Sequence, residues 1–220
     1  MLKILLADDH AILREGLKQI LADGFPQAKF GESGTAQETI RLLQASAWDV
    51  LVLDVFMPGR SGLEVLYEVH RNQPRLPVLV LSSAPEEQLA MRVLRSGASG
   101  YLNKQAAPEH LVEAVRKVLA GGKYVSGTLA ERMADQLACP NPPVAETLSD
   151  REYEVMLLVL AGKSLKEIAS ELTLSPKTIS TFHTRIWEKL GVRNDVELGQ
   201  WAARIEGRSH RQPDPPAPPE

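Results

Sequence analysis

The chain has 220 residues, 44% of them hydrophobic and 24% charged, which suffices for one large domain or two modest ones with a core in each. A net charge of -3 gives no global pull toward nucleic acid, so any such site has to be local. No apolar run approaches the ~20 residues of a membrane span, and the lone Cys139 closes no internal disulfide, in keeping with a reducing cytoplasm.

In chain order, Lys3–Ala7 reads as a short buried strand that runs straight into Asp8 and Asp9, too soon for a signal peptide. From Ile12 the apolar residues Ile12, Leu17, Ile20 and Leu21 share one helical face with Gly16. Lys29–Ser33 fits a second strand and Thr35–Gln44 a second helix. Val50-Leu-Val-Leu-Asp54 is a buried strand that ends in an acid, before the turn signal Pro58-Gly59. A helix over Gly62–Arg71, a strand over Pro77–Leu81, a helix over Glu86–Arg95, a turn and strand over Gly97–Leu102 and a helix over Pro108–Leu119 complete the series. The alternation βαβαβαβαβα predicts an α/β domain, residues 1–121, with a doubly wound five-stranded parallel sheet.

Residues 122–146 read as a linker containing a helix over Gly127–Leu137 and the extended Cys139-Pro-Asn-Pro-Pro143. Beyond it the period is helical. Ser149-Asp-Arg-Glu152 and Ser164-Leu-Lys-Glu167 fit the capping box, in which side chains satisfy the first free N–H groups of a helix. Ser175-Pro176 is a third start signal and Gly191 a stop. These signals predict a second, smaller all-α domain over 147–206, followed by a Pro-rich tail, 207–220, which buries no core and is expected to be disordered.

The predicted topology sets Asp8, Asp9, Asp54, Ser82 and Lys104 at one edge of the sheet, since each follows a strand. Three carboxylates gathered there repel one another unless a cation joins them. All-oxygen ligation of this kind suits Mg²⁺, which shares its shell with water and a phosphate. A lysine can neutralise a phosphoryl oxygen, and a serine hydroxyl can donate to another.

With those residues the first domain resembles the receiver domain of two-component response regulators. The resemblance implies that Asp54 takes a phosphoryl group from a histidine kinase. Mg²⁺ would be held by Asp9, by Asp8 through water, by Asp54 and by the main-chain carbonyl of Phe56. Ser82 and Lys104 match the residues that hold the phosphoryl group, Ser83 the small residue that leaves it room, and Tyr101 the aromatic that moves inward on phosphorylation. Gln105 departs from the family, many of whose members have a proline there. An aspartyl-phosphate phosphohydrolase would need a second acid where Phe56 stands, and no Gly-x-Gly-x-x-Gly follows the first strand to bind a dinucleotide.

In the second domain, Ile179, Phe182, Ile186 and Leu190 make a buried stripe on the helix Pro176–Leu190. The opposite face carries Lys177, Thr178, Ser180, Thr181, Thr184 and Arg185, with His183 beside them. Short hydroxyls flanked by cations suit a helix lying in a major groove of double-stranded DNA. The stretches Leu148–Val155, Gly162–Ala169, Leu174–Thr181 and Lys189–Val192 resemble the LuxR-type helix-turn-helix, and the two modules together the NarL/FixJ class of response regulator. That resemblance adds Lys166 and Lys189 to the DNA contacts. It makes a last helix, with Leu198, Trp201, Ala202 and Ile205 on one stripe, the homodimer contact. Asp195 departs from the family by standing where a basic residue is common. The whole reads as a cytoplasmic, phosphorylation-controlled transcriptional regulator, a switch more than an enzyme. Its unphosphorylated receiver would either block the recognition helix or hold the chain monomeric.

Overall fold

The computed structural model describes residues 1–138 and 147–208. Cys139, the prolines that follow it and the tail from Pro213 to Pro219 lie outside the described residues. The first domain runs β1 (Lys3–Ala7), α1 (Ala11–Gly24), β2 (Lys29–Ser33), α2 (Ala36–Ala45), β3 (Val50–Asp54), α3 (Gly62–Asn72), β4 (Val78–Ser82), α4 (Glu86–Arg95), β5 (Gly100–Asn103) and α5 (Ala107–Leu119). All strand pairs are parallel, in the order β2-β1-β3-β4-β5. The strand order therefore reverses between β1 and β3. In such a sheet the loops leaving the carboxyl ends of those two strands diverge and leave a crevice.

Alternation along the strands divides the core between two faces. Ile4, Leu6, Val50, Val52, Leu79 and Leu81 pack with Leu17 and Leu21 of α1 and Leu111 and Val115 of α5. Leu5, Ala7, Leu51, Leu53, Val78 and Val80 pack with Leu66 of α3 and Leu89 and Val93 of α4 on the other. Because both faces are covered, the inner strands β3 and β4 carry no polar residue until their carboxyl ends, where Asp54 and Ser82 stand.

One close approach fixes the loop after β3. A Cβ at Gly62 would lie 2.2 Å from the Asp54 carbonyl oxygen and 2.7 Å from the Val55 Cα. The Gly62 N–H donates to the Val55 carbonyl at 2.9 Å, so α3 starts hard against the end of the strand that carries Asp54.

The linker helix α6 (Gly127–Ala138) is tied to α4, since the Ser126 hydroxyl donates to the Glu86 carboxylate at 2.5 Å and accepts from the Leu129 N–H. The second domain holds α7 (Asp150–Leu160), α8 (Leu165–Glu171), α9 (Pro176–Leu190) and α10 (Asp195–Arg208). Both expected capping boxes form, Ser149 with Glu152 and Ser164 with Glu167, and Ser175 accepts from the Thr178 N–H. Gly191, at φ 67°, adopts the left-handed conformation that ends α9. Among the described residues no helix is long and apolar enough to cross a membrane.

The contact behind Gly62 is with backbone, which cannot step aside. Gly62→Ala is expected to lower stability by roughly 1–3 kcal/mol, the usual cost of overpacking, measured as a fall in the urea midpoint at unchanged slope.

Candidate functional site

The crevice between β1 and β3 is acidic, and two of its acids are buried. Asp54 is 1% exposed and Asp8 2% exposed. Asp54 Oδ1 accepts from the Phe56 N–H at 3.1 Å, and Oδ2 lies 2.6 Å from Lys104 Nζ. The same ammonium is 2.7 Å from Asp8 Oδ2. Burial pushes the Asp54 carboxyl up to about 7, with Lys104 working against that and Asp8 with it. Burial alone would lower Lys104, but Asp54 and Asp8 outweigh it and leave the ammonium above its usual range. The first shift reflects the cost of burying the Asp54 charge, the second the pull of two acids on one cation.

One cation is too few for the acids present. Asp8 Oδ2 and Asp9 Oδ1 are buried without a directed hydrogen bond, although the first has Lys104 as an ion-pair partner and the second has His10 Nδ1 at 2.8 Å. Asp8, Asp9, His10 and Asp54 offer ligand atoms within 4.8 Å of one another, so the site is able to hold a metal ion. The oxygens fit a hard divalent cation, for which orphaned buried carboxylate atoms are the natural ligands. His10, at the exposed lip, was not expected from sequence.

At the ends of β4 and β5 a single residue links several groups. The Ser82 hydroxyl, fully buried, accepts from the Ala84 N–H at 3.1 Å. The Ala84 carbonyl accepts from the Tyr101 hydroxyl at 2.6 Å and from Asn103 Nδ2 at 3.1 Å. Ser83 points outward and is exposed. Tyr101, expected to move inward only on phosphorylation, is already inside at 1% exposure, because the Ala84 carbonyl gives its hydroxyl a buried partner. At the position where many receivers carry proline, the Gln105 N–H donates to Asn103 Oδ1 at 2.9 Å, a bond that proline cannot make.

On α9 the expected face is open. Lys177, Ser180, Thr181, Thr184 and Arg185 are exposed and Thr178 is half-buried, as is fitting for a surface that meets a partner. Lys166 on α8 is exposed as well. The receiver does not cover this face, so the blocked recognition helix is not the arrangement here. Three placements differ from expectation. Lys189 is exposed but tied to its own domain, 2.6 Å from the buried Glu152 of α7. His183 is 8% exposed and turns away from the cationic face to bond Asp195. Leu198 is fully buried in its own domain, which removes it from a dimer contact. Trp201 and Ala202 are half-buried, and the side chain of Ile205 lies outside the described residues.

Sequence reasoning missed the seam between the domains. The Ser61 hydroxyl, at the start of α3, donates to the Glu154 carboxylate of α7 at 2.8 Å. Arg151 pairs with Glu154 and donates to the Gly59 carbonyl at 2.5 Å, while the Gly59 N–H donates to the Leu172 carbonyl at 3.2 Å. Arg92 of α4 donates to Asp150 Oδ1 at 2.6 Å and to the Leu148 carbonyl at 2.8 Å, and lies 4.5 Å over the Tyr153 ring. Tyr153 in turn donates to the Gln88 carbonyl of α4. Glu154 is fully buried, and burial lifts its carboxyl to about 7 against the pull of Arg151 and Ser61. The signal in the sequence was slight, since charged residues on a capped helix usually face water.

Comparison with known proteins bears on both halves. Residues 4–116 match the family model described as response regulator receiver domain, and residues 146–202 that of bacterial regulatory proteins, luxR family. The chain is 36% identical over 208 residues to the response regulator UvrY of Escherichia coli O6:H1, covering 93% of this chain and 94% of that one. It is 35% identical over 206 residues to the response regulator GacA of Pseudomonas aeruginosa, covering 93% and 96%. Among solved structures it resembles RcsB from Salmonella enterica serovar Typhimurium bound to promoter rprA in the presence of phosphomimetic BeF3-, with a TM-score of 0.61, 28% identity and coverage of 92% and 98%.

The seam also predicts a pH dependence. Glu154 has a folded pKa of about 7 against an ordinary value of 4.5, so the folded chain holds its proton more tightly than the unfolded one. Its contribution to stability is full below the ordinary value and is lost as pH rises through about 7. Glu154→Gln should escape this decline. The difference in melting temperature, variant minus parent, is expected to increase between pH 5 and pH 7.5 in a scanning calorimeter, and Asp54, common to both, cancels.

Proposed function

The chain belongs to the two-component response regulators of the NarL/FixJ class, which join a receiver domain to a LuxR-type helix-turn-helix, and on that premise we propose that Asp54 is its phosphoryl acceptor. One observation carries the assignment. Asp54 is the buried carboxylate at the sheet's reversal point that shares Lys104 with Asp8 inside a cluster able to hold a metal. The phosphodonor is a histidine kinase, and the protein is a phosphorylation-dependent, DNA-binding transcription regulator.

In this reading Asp8, Asp9, Asp54 and the Phe56 carbonyl would hold Mg²⁺, whose charge would offset repulsion between the acids and the incoming phosphoryl oxygens. An Asp54 oxygen attacks phosphorus in line, the bond to the donor imidazole breaks, and the crevice gains roughly one to two negative charges. Lys104 leaves Asp8 and follows the phosphoryl oxygens. Ser82 exchanges the Ala84 N–H for one of them, with Ser83 leaving room beside it. Ala84 then shifts, and Tyr101, bonded to its carbonyl, shifts with it. The site turns over nothing beyond its own phosphoryl group, so the protein is a switch.

Two routes lead from there to the DNA-binding domain. The loop after Asp54 ends in Gly59 and Ser61, which sit on Arg151 and Glu154. The β4–α4 loop feeds α4, which carries Arg92 and Gln88 onto α7. Since α9 is open, control acts on where α9 is held and not on whether it is covered. Release of the seam lets two copies bring their α9 helices to half-sites about one helical turn apart on promoter DNA in the cytoplasm. Lys177 and Arg185 then meet phosphates, Thr178, Ser180, Thr181 and Thr184 meet base edges or phosphates, and Lys166 supports from α8. Trp201, Ala202 and Ile205 of α10 meet their two-fold mates.

Incubated with a small phosphodonor and Mg²⁺, the protein should take up close to one phosphoryl group per chain. Asp54→Asn, or removal of the metal with a chelator, should reduce uptake to background in an intact-mass measurement. Uptake by Asp54→Asn at the parent's stoichiometry would refute the assignment.

Lys177→Ala and Arg185→Ala should each weaken DNA binding and reduce the slope of log affinity on log salt by about one, read by fluorescence anisotropy. Lys189→Ala, because that cation is spent on Glu152, should leave the slope nearly unchanged and lower thermal stability instead.

A further inference from the structure

Asp195 is an acid where this class commonly has a base, and the phosphate-contacting role of a base is closed to it. The structure gives it other work. Asp195 Oδ1 lies 2.7 Å from His183 Nε2 and 3.2 Å from Trp187 Nε1, both on α9. The two rings are themselves in contact, with centroids 4.4 Å apart. One carboxylate oxygen at the first turn of α10 therefore gathers two consecutive aromatic turns of the recognition helix. Among the described residues these are the side-chain hydrogen bonds that join α9 to α10. The start of α10 is otherwise closed on itself, with the Glu197 N–H on Asn194 Oδ1 and the Arg193 N–H on Glu197 Oε2, each at 2.8 Å. The amino-terminal position also favours the carboxylate, through the free N–H groups of the first turn.

We propose that Asp195 is a positioning residue that sets the angle between the recognition helix and the dimer helix, and through it the half-site spacing the protein selects. The inference rests on the dimeric DNA-binding reading given above. In a two-fold dimer joined through α10, the separation of the two α9 helices follows from how each is fixed to its own α10. The Gly191 turn between them is a left-handed pivot and supplies no side chain to stiffen it. Leu198 anchors α10 within the domain core, Trp201 packs partly against the same core and α7 lies close by; the clasp adds the directed polar restraint between α9 and α10. A charge effect is separable from a clasp, because the amide of Asp195→Asn keeps an acceptor oxygen and loses the charge, whereas Asp195→Ala loses both.

The test is selection from a pool of randomised DNA duplexes by the full-length chain charged with beryllofluoride, followed by sequencing. The parent is expected to recover paired half-sites at one dominant spacing. Asp195→Asn should keep that spacing and bind somewhat more tightly, as a negative charge near phosphates is removed. Asp195→Ala should recover the same half-site sequence with its spacing spread over neighbouring values, its preference against a one-base-pair change falling by about fivefold or more. Trp187→Phe, which deletes one donor and keeps an aromatic ring, should move the same way to a smaller degree. An unchanged spacing in both Asp195→Ala and Trp187→Phe would overturn the clasp while leaving DNA binding intact. If the parent recovers no paired half-sites, the dimeric reading itself fails and the clasp with it.

Discussion

Two buried carboxylates share one ammonium. Lys104 stands within 2.7 Å of Asp8 and 2.6 Å of Asp54, and the rest of the receiver is arranged so that this sharing is both possible and incomplete. It is possible because β1, β3 and the turn after β5 bring their ends to one crevice. It is incomplete because three acids, two of them buried, outnumber the single lysine, which leaves charge for a metal ion and motion for the lysine. A permanently neutralised site would have no reason to change on gaining a phosphoryl group. A site short of positive charge responds to every charged species that enters it.

The same physics recurs at the seam. Glu154 is buried with Arg151 as its ion-pair partner and Ser61 as a hydrogen-bond donor from the other domain. Buried pairs of this kind add little net stability, since desolvation cancels most of the attraction, but they tolerate very few geometries. Here that selectivity holds α7 against the loop that leaves Asp54. Apolar packing continues across the join through Met57, Leu148 and Tyr153, so the two domains share one buried cluster on this side of the sheet. Such a contact transmits position well because its polar parts fail if moved by an ångström or so, while its apolar parts resist separation.

The open face of α9 changes how control is understood. A regulator whose recognition helix is covered has to uncover it. One whose recognition helix is already exposed has to aim it, and aiming depends on joints. The seam is the joint between receiver and α7, and the turn at Gly191 with its Asp195 clasp is the joint between α9 and α10. The seam uses buried polar contacts and the clasp joins the buried His183 to an exposed carboxylate, and directed bonds of this kind specify direction in a way that apolar packing alone does not.

The amino-acid sequence by itself determined the alternation of strands and helices, the side on which each strand's acid, serine or lysine emerges, and the starts of the capped helices. Those features are written in short-range patterns: a period of two or 3.6, an apolar run ended by an acid, a serine three residues before a glutamate. Asp8, Asp9, Asp54, Ser82 and Lys104 were legible for that reason, and so was the cationic and hydroxyl face of α9. Tertiary structure alone decided the partners. That Glu154 would sit under Ser61, that Lys189 would be spent on Glu152, that Leu198 would belong to its own core and that Asp195 would clasp His183 and Trp187 all depend on residues from different elements meeting in space. A charged residue on a helix looks the same in sequence whether it faces water, DNA or another domain. What distinguishes those cases is the surface packed against it, and that surface exists only once the chain has folded.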